Sequence, residues 1–343
     1  MSRILICAGL IAAAAAGLRS EPASGQLNVC HAGSVGAAFA EIEESFKAQH
    51  PGVSVSDVSG GSVTLARRVA SGDLACDVYA SADYIDIDRM LKPAGIASYT
   101  VVFARGRMVL AYLVTDPNTN GIAAVGDFRP PASVPDASPD WYRKLLAPGV
   151  RIGGAHPFLD PGGYRSHMIL ELAQKHYVVP SLYNALLEHY EVIPAAAGPD
   201  AAPALGRHFS FQFTYEHSAA AAASKDQAYR YVHLPDRIDL SNPNNERYYA
   251  QASVTMPGLG SPGAPSSVTI SATRAAWGLT IIRKSLNHDN ALAFAALALG
   301  PIGRAALNAH GPVPVTPAIV SADDFKQLPP ALRALVAPGR TAP

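Results

Sequence analysis

The 343-residue sequence predicts an α/β fold with two lobes. Strand-like and helical stretches alternate from Leu27 onward, which is typical of helices packed on a sheet. The chain leaves this first group of elements near Arg105 and returns to it near Thr269. Two lobes joined by such crossings form a hinged clam-shell, whose cleft opens and closes about a ligand.

Residues 1–25 predict export. Met1-Ser2-Arg3 is followed by an apolar, alanine-rich run over residues 4–18 and then by small residues. This is the pattern of a secretory signal, with cleavage between Gly17 and Gly25. The run is shorter than the roughly 20 apolar residues that a membrane-spanning helix needs. We therefore expect a soluble mature protein in the periplasm.

The charge balance limits the classes of partner. Charged residues make up 16% of the chain, and 27 basic side chains balance 27 acidic ones. The chain therefore has no excess of positive charge that would attract nucleic acid or an anionic membrane surface. Any anion site must therefore be local and built from dipoles and neutral donors.

We assign residues 26–104 and 270–335 to lobe 1 and residues 105–269 to lobe 2. Each lobe is predicted to be a mostly parallel sheet flanked by helices. In lobe 1 we predict strands at residues 27–30, 53–58, 76–80 and 101–104, and helices that end near residues 49 and 72.

The rest of the chain divides by the same signals. For lobe 2 we predict strands at residues 108–115, 150–153 and 231–234, and helices at residues 164–177 and 180–189. We predict loops at residues 116–139 and 195–205, and a Gly/Pro/Ser linker at residues 257–265. For the return to lobe 1 we predict strands at residues 269–273 and 277–282, helices at residues 290–299 and 302–308, and an extended tail at residues 311–317.

Two glycine-serine turns follow the first two predicted strands. Ala32-Gly33-Ser34 comes after the first strand, and Gly60-Gly61-Ser62 after the second; each serine opens a helical segment. Each serine could simply cap its helix. The pair also offers backbone N–H groups, hydroxyls and two positive helix ends, which together can hold an anion. A third polar turn begins at Ser81, and the three turns should meet at the carboxyl ends of their strands.

Several other features have structural interpretations. Cys30 and Cys76 lie in or beside lobe 1 strands, where either a disulfide or two reduced thiols fits the sequence. Asp83 is expected to cap a helix or loop, and Tyr248-Tyr249 to lie on a helix surface. None of the 11 histidines has a metal-ligand spacing such as His-x-x-x-His.

The combination of motifs resembles the molybdate/tungstate-binding family of periplasmic solute-binding proteins, and in particular its tungstate-type branch. The matching stretches are the two glycine-serine turns and residues 77–84, 103–112, 160–166 and 277–280. The resemblance implies a type II periplasmic-binding-protein fold, an ABC permease with its ATPase as partners, and a monomer. It implies neither an enzyme nor a cofactor.

The resemblance also implies roles for particular residues. Serines 34 and 62, with backbone N–H groups near Ser81, would donate to the oxygens of a tetrahedral oxyanion. Asp160 and Glu216 would reach the metal of the oxyanion from lobe 2, and Tyr215 is an alternative donor to an oxygen. A carboxylate beside a dianion is otherwise repulsive, so this placement requires metal ligation or protonation.

Three alternatives stay open at this point. The ligand could be another anion, such as sulfate, phosphate or an organic acid. A secreted serine hydrolase would need a histidine and an acid assembled about its nucleophile, and the sequence has no Gly-x-Ser-x-Gly motif. A sensor subunit of the same fold would dock on a receptor instead of a permease.

Overall fold

A computed structural model describes residues 24–125, 134–193 and 205–339. The proposed leader lies outside these residues except for its last two positions. Most of the loop predicted at residues 195–205 and about a third of the loop predicted at residues 116–139 also lie outside them. Within the described part, two sheets with helices packed on them form the two lobes. The two-lobed α/β fold predicted from the sequence is therefore confirmed.

The strands in chain order are β1 (Ser24–Ala32), β2 (Gly52–Gly60), β3 (Val78–Ser81), β4 (Val101–Arg105), β5 (Met108–Leu113), β6 (Ile152–Gly154), β7 (Tyr190–Val192), β8 (Phe211–Tyr215), β9 (Tyr229–His233), β10 (Ser253–Pro257), β11 (Ser267–Ser271), β12 (Ala276–Ile281), β13 (Val313–Val320) and β14 (Val336–Pro338). The helices are α1 (Gly36–Gln49), α2 (Ser62–Ser71), α3 (Tyr84–Asp86), α4 (Trp141–Leu145), α5 (Pro161–Tyr177), α6 (Leu182–Glu188), α7 (Glu216–Lys225), α8 (Glu246–Tyr249), α9 (His288–Leu299), α10 (Pro301–His310), α11 (Ala322–Gln327) and α12 (Pro330–Arg333).

Both sheets are mixed, and not mostly parallel as predicted. The lobe 1 sheet has the order β14-β13-β4-β12-β3-β1-β2, and the lobe 2 sheet has the order β7-β6-β8-β5-β9. Strand β12, which comes back from lobe 2, lies between β3 and β4 and runs antiparallel to both. In lobe 2, β5 is antiparallel to both of its neighbours. The crossings between lobes thus set the strand directions at the centre of each sheet.

Two predicted elements pair differently. The stretch at residues 269–273 does not enter the lobe 1 sheet, because β11 pairs with β10 in a separate antiparallel hairpin. The residues predicted as a linker, 257–265, connect these two strands. The predicted tail at residues 311–317 is the start of β13, which joins the lobe 1 sheet beside β4.

Apolar periodicity places the core of lobe 1. Phe39, Ile42 and Phe46 of α1 are fully buried, and both phenylalanine rings lie against Phe294 of α9. In the described residues no single helix is long and apolar enough to cross a membrane; α9 and α10 pass that test only as a pair bent by 59°. Tyr249, predicted on a helix surface, is instead fully buried.

The two segments of lobe 1 are joined at Asp77, which is 3% exposed. Its carboxylate accepts hydrogen bonds from the backbone N–H of Asn28 at 2.7 Å and from the Asn28 amide at 2.8 Å. From the C-terminal segment it accepts bonds from the Ser285 hydroxyl at 2.7 Å and the Asn287 amide at 3.0 Å. The adjacent Cys76 is paired with Cys30 in a disulfide.

Replacing Asp77 should therefore destabilise lobe 1. We expect Asp77→Ala to lower the free energy of unfolding by about 3 kcal/mol, because it leaves buried donors without their charged acceptor. The measurement is urea unfolding followed by circular dichroism. Asp73→Ala is the control, since Asp73 is exposed and, within the described part of the chain, bonds only to Ser71 on the surface. Equal midpoints for the two variants would contradict this role.

Candidate functional site

The lobes meet where the N-terminus of α2 faces the loop before α5. The Leu159 carbonyl of lobe 2 accepts a hydrogen bond from the Thr64 backbone N–H at 3.2 Å and from the Thr64 hydroxyl at 3.3 Å. Gly61 permits this approach, because a Cβ on it would lie 2.6 Å from the Leu159 oxygen. A backbone carbonyl of one lobe thus satisfies a free donor at the start of a helix in the other.

Arg67, one turn further along α2, makes the second set of contacts between lobes. Its guanidinium donates to the carbonyl oxygens of Phe158 at 2.7 Å, Pro257 at 2.8 Å and Gly258 at 3.3 Å. Burial lowers the pKa of Arg67. All three acceptors are dipoles and not carboxylates, so this contact holds the lobes together with modest strength.

Ser34 lies between β1 and α1, in a short turn at the edge of the gap between the lobes. Its hydroxyl does not cap α1; instead, its Oγ accepts a hydrogen bond from the indole N–H of Trp277 at 2.9 Å. The Ser34 carbonyl accepts from Nε2 of His217 in lobe 2 at 2.8 Å. Burial lowers the pKa of His217, so the ring is neutral at pH 7 and Nε2 carries the donated proton.

Ser62 is the first residue of α2 and is fully buried. Its hydroxyl also does not cap its own helix; Oγ accepts from the backbone N–H of Ala82 at 3.0 Å. The Ser62 carbonyl in turn accepts from the hydroxyl of Tyr79 at 2.8 Å. Both predicted serines therefore have an N–H directed at their oxygen, and neither hydroxyl proton has an acceptor among the described residues.

Tyr215, at the end of β8, repeats this arrangement from lobe 2. Its hydroxyl oxygen accepts from Nη1 of Arg165 at 2.8 Å, and the same nitrogen donates to the Ala82 carbonyl of lobe 1 at 2.6 Å. Burial raises the pKa of Tyr215, so its hydroxyl keeps its proton. Its ring packs edge-on against Trp277, with centroids 4.8 Å apart. Contacts through Trp277, Tyr215, Arg165 and Ala82 thus link Ser34 to Ser62.

Asp160 lies on the lobe 2 side of the same region and caps α5. Its Oδ1 accepts from the Gly162 backbone N–H at 2.7 Å. Its Oδ2 lies close to Gly61, because a Cβ on that glycine would be 3.2 Å from it. Burial raises the pKa of Asp160. A cavity of about 370 Å³ lies against Asp160 and is lined by residues of both lobes, among them Thr64 and His156.

Ser81 is turned away from this group. Its hydroxyl donates to Asp86 at 2.9 Å and accepts from the Asp83 backbone N–H at 3.0 Å, so the turn itself satisfies it. Asp83 caps the following helix, as expected, and also accepts from Tyr164 of α5 at 2.8 Å. Tyr164 donates to Asp86 as well, at 3.0 Å. Two of the backbone N–H groups predicted as donors near Ser81, those of Ala82 and Asp83, are directed at the hydroxyls of Ser62 and Ser81.

Glu216 does not join Asp160 in these contacts. Its carboxylate lies 2.6 Å from Nε2 of His233 and 3.4 Å from the Arg107 guanidinium, both in lobe 2. Burial raises the pKa of Glu216, but the hydrogen bond with His233 and the charge of Arg107 outweigh it and lower the pKa. Its predicted role as a metal ligand stays a prediction that this geometry does not support, because α7 directs His217 to the gap instead.

Arg165 is the central residue that the sequence reasoning left without a role. It is 1% exposed, and its Nη2 lies 3.3 Å from the Asp83 carboxylate. Burial alone would lower the pKa of Arg165, but the Asp83 carboxylate raises it, so the charge is retained. The only signal in the sequence was its position five residues after Asp160, on the same first turns of α5.

This geometry defines a two-lobed binding protein with polar donors at its gap, and comparison with known proteins agrees. Residues 27–312 match the bacterial extracellular solute-binding protein family, so the chain belongs to it. It is 30% identical over 300 residues to a solute-binding protein of Petrotoga mobilis, covering 88% of this chain and 87% of that one.

Two further proteins bear on the ligand and the fold. The molybdate/tungstate-binding protein WtpA of Thermococcus kodakarensis is 27% identical over 322 residues, which cover 87% of this chain and 84% of WtpA. The solved structure of the sulfate-binding protein SubI from Mycobacterium tuberculosis superposes with a TM-score of 0.57 at 15% identity, covering 90% of this chain and 89% of SubI. At that identity the likeness to SubI shows the fold alone.

The contacts of Arg67 predict a residue that controls lobe closure. We expect Arg67→Ala to shift the balance toward an open form by about 2 kcal/mol, because three hydrogen bonds between lobes are lost. Small-angle X-ray scattering should then report a larger radius of gyration. Arg68→Ala, which alters the exposed neighbour on the same helix, should leave it unchanged. A radius that is the same in both variants would count against closure by Arg67.

Proposed function

We propose that this chain is an exported carrier that captures molybdate or tungstate between its lobes and delivers it to an ABC permease and its ATPase. One observation carries the proposal: three hydroxyls at the gap, on Ser34, Ser62 and Tyr215, each accept an N–H bond and keep a proton to donate. A ligand rich in acceptor oxygens and free of donors matches this set. In this proposal the protein is a monomer, and it binds the oxyanion without catalysing a reaction.

The electrostatics support a small oxyanion over a larger organic acid. The donors are neutral hydroxyls and backbone groups, while the nearby Arg165 charge is already paired with Asp83. Neutral preorganised donors in a gap that excludes water hold an anion with little reorganisation. The short contacts between Gly61 and Leu159 leave little room for a bulky substituent.

Asp160 supports molybdate or tungstate over sulfate. Its Oδ2 is near the same gap, where a carboxylate would repel a dianion unless it is protonated or bonds to the central atom. Molybdenum and tungsten can expand their coordination toward a carboxylate, whereas sulfur cannot. The similarity to WtpA, which binds molybdate or tungstate, favours the same choice.

The hydrogen-bond partners of Ser34 and Ser62 argue against a serine hydrolase. The partners of the two serine oxygens are an indole N–H and a backbone amide, which cannot accept a proton. His217 bonds to the Ser34 carbonyl and not to its hydroxyl. Among the residues that the structure describes, neither serine therefore has the general base that a nucleophile needs.

The test of the proposal is Ser62→Ala. Calorimetric titration with molybdate, tungstate, sulfate and phosphate should show the first two binding to the wild type. The variant should bind them about 10- to 100-fold more weakly, because a hydrogen bond to a charged ligand is lost. Ser71→Ala, at the other end of α2, is the matched control. Unchanged affinity in Ser62→Ala would overturn the assignment.

A second variant tests the contact of Asp160 with the metal. Asp160→Asn keeps an oxygen that can accept from the Gly162 N–H, so the helix cap is retained. We expect tungstate affinity to fall about tenfold, or about 1.4 kcal/mol, while any sulfate affinity does not fall. If both anions respond alike, Asp160 acts on charge alone and does not bond to the metal.

A further inference from the structure

A second cluster of potential ligands lies in lobe 1, outside the gap between the lobes. It consists of His31 on β1, Glu43 on α1 and Asp57 on β2. One nitrogen or oxygen from each residue lies within 4.8 Å of the other two. The three residues come from separate elements, so the fold and not the local sequence brings them together.

His31 is held in a fixed orientation. It is 1% exposed, and its Nδ1 lies 2.9 Å from the Ala32 carbonyl, so Nδ1 carries the proton. Its Nε2 lies 2.8 Å from Asp57 Oδ1 but makes no aligned hydrogen bond within the described residues. A histidine whose Nδ1–H bonds to a carbonyl presents Nε2 as a ligand, as in most metal-bound histidines.

Glu43 supplies the second, independent observation. It is 5% exposed, and its Oε1 has no hydrogen-bond partner among the described residues. The other oxygen lies 3.4 Å from Lys47, whose side chain is 49% exposed. A buried carboxylate oxygen without a partner is costly, so a ligand that satisfies it gains stability.

We propose that His31, Glu43 and Asp57 bind a divalent transition-metal cation of the zinc class. One imidazole and two carboxylates form a mixed nitrogen and oxygen set that suits zinc, with the fourth position left to water. The Asp57 side chain is 39% exposed and gives the cation access from solvent. Lys47 is exposed enough to move away when the cation neutralises Glu43.

Protons compete with the cation at this site. Burial by itself lowers the pKa of His31, but the Asp57 carboxylate and the Ala32 carbonyl raise it above its usual value. Burial and Asp57 also raise the pKa of Glu43, which Lys47 opposes. The ligands must lose these protons to bind metal.

The experiment uses the purified chain without a histidine tag, dialysed against EDTA and then titrated with zinc chloride. Calorimetry and elemental mass spectrometry should report one zinc per chain for the wild type. Glu43→Gln and Asp57→Asn should each bind zinc at least about tenfold more weakly. Glu44→Gln, which changes the exposed neighbour of Glu43, should bind as the wild type does.

Two outcomes overturn the proposal: no stoichiometric zinc on the wild type, or equal affinity in all three variants. Either result would make the cluster an ion pair between a protonated His31 and its carboxylates. Because Asp57 is partly exposed, Asp57→Asn serves as the variant that keeps its fold, which circular dichroism checks. Molybdate titration of the same metal-free samples keeps this result separate from the oxyanion proposal.

Discussion

A buried hydroxyl that already accepts an N–H must find an acceptor for its own proton, and this constraint organises the gap between the lobes. Ser62 and Tyr215 are in this position, and the half-buried Ser34 hydroxyl also accepts an N–H. The N–H groups come from β12, from the turn after β3 and from α5, so elements of both lobes fix the three oxygens. The sheets and crossings therefore act on the site by fixing the positions of these three oxygens.

The charges behind these hydroxyls nearly cancel. Arg165 faces Asp83, while Asp86 shares the Tyr164 hydroxyl with Asp83. Burial and the Asp83 charge raise the pKa of Asp86; burial also raises the pKa of Asp83, but there the charge of Arg165 opposes it. One guanidinium then balances one carboxylate. Apart from Asp160, an anion entering the gap meets little net charge and must be held by hydrogen bonds, which agrees with the neutral composition of the chain.

Local signals in the sequence were enough for the parts of the site that local geometry creates. The turn before Ser62 could be predicted because glycines and a serine after a strand mark a helix start whatever packs around it. The burial of Arg165 and Tyr249 depends on elements far away in the chain. The pairing of β11 with β10 likewise could not be predicted, because a local sequence pattern does not indicate which strand is the partner. Glu216 lies one position before His217, and only the course of α7 decides which of them reaches the gap.

Most of the direct contacts between the lobes end on backbone carbonyls. Leu159 accepts from Thr64, Phe158 accepts from Arg67, and Ala82 accepts from Arg165. Arg67 is bonded only to carbonyl dipoles and recovers part of its lost hydration, so its contact adds little net free energy to closure. The buried Arg165–Asp83 pair and the bonds of Tyr164 to Asp83 and Asp86 also join the lobes. A ligand that bonds to hydroxyls of both lobes is stabilised in the closed form alone. Its differential affinity can therefore decide the balance, which is what a carrier that must both capture and release requires.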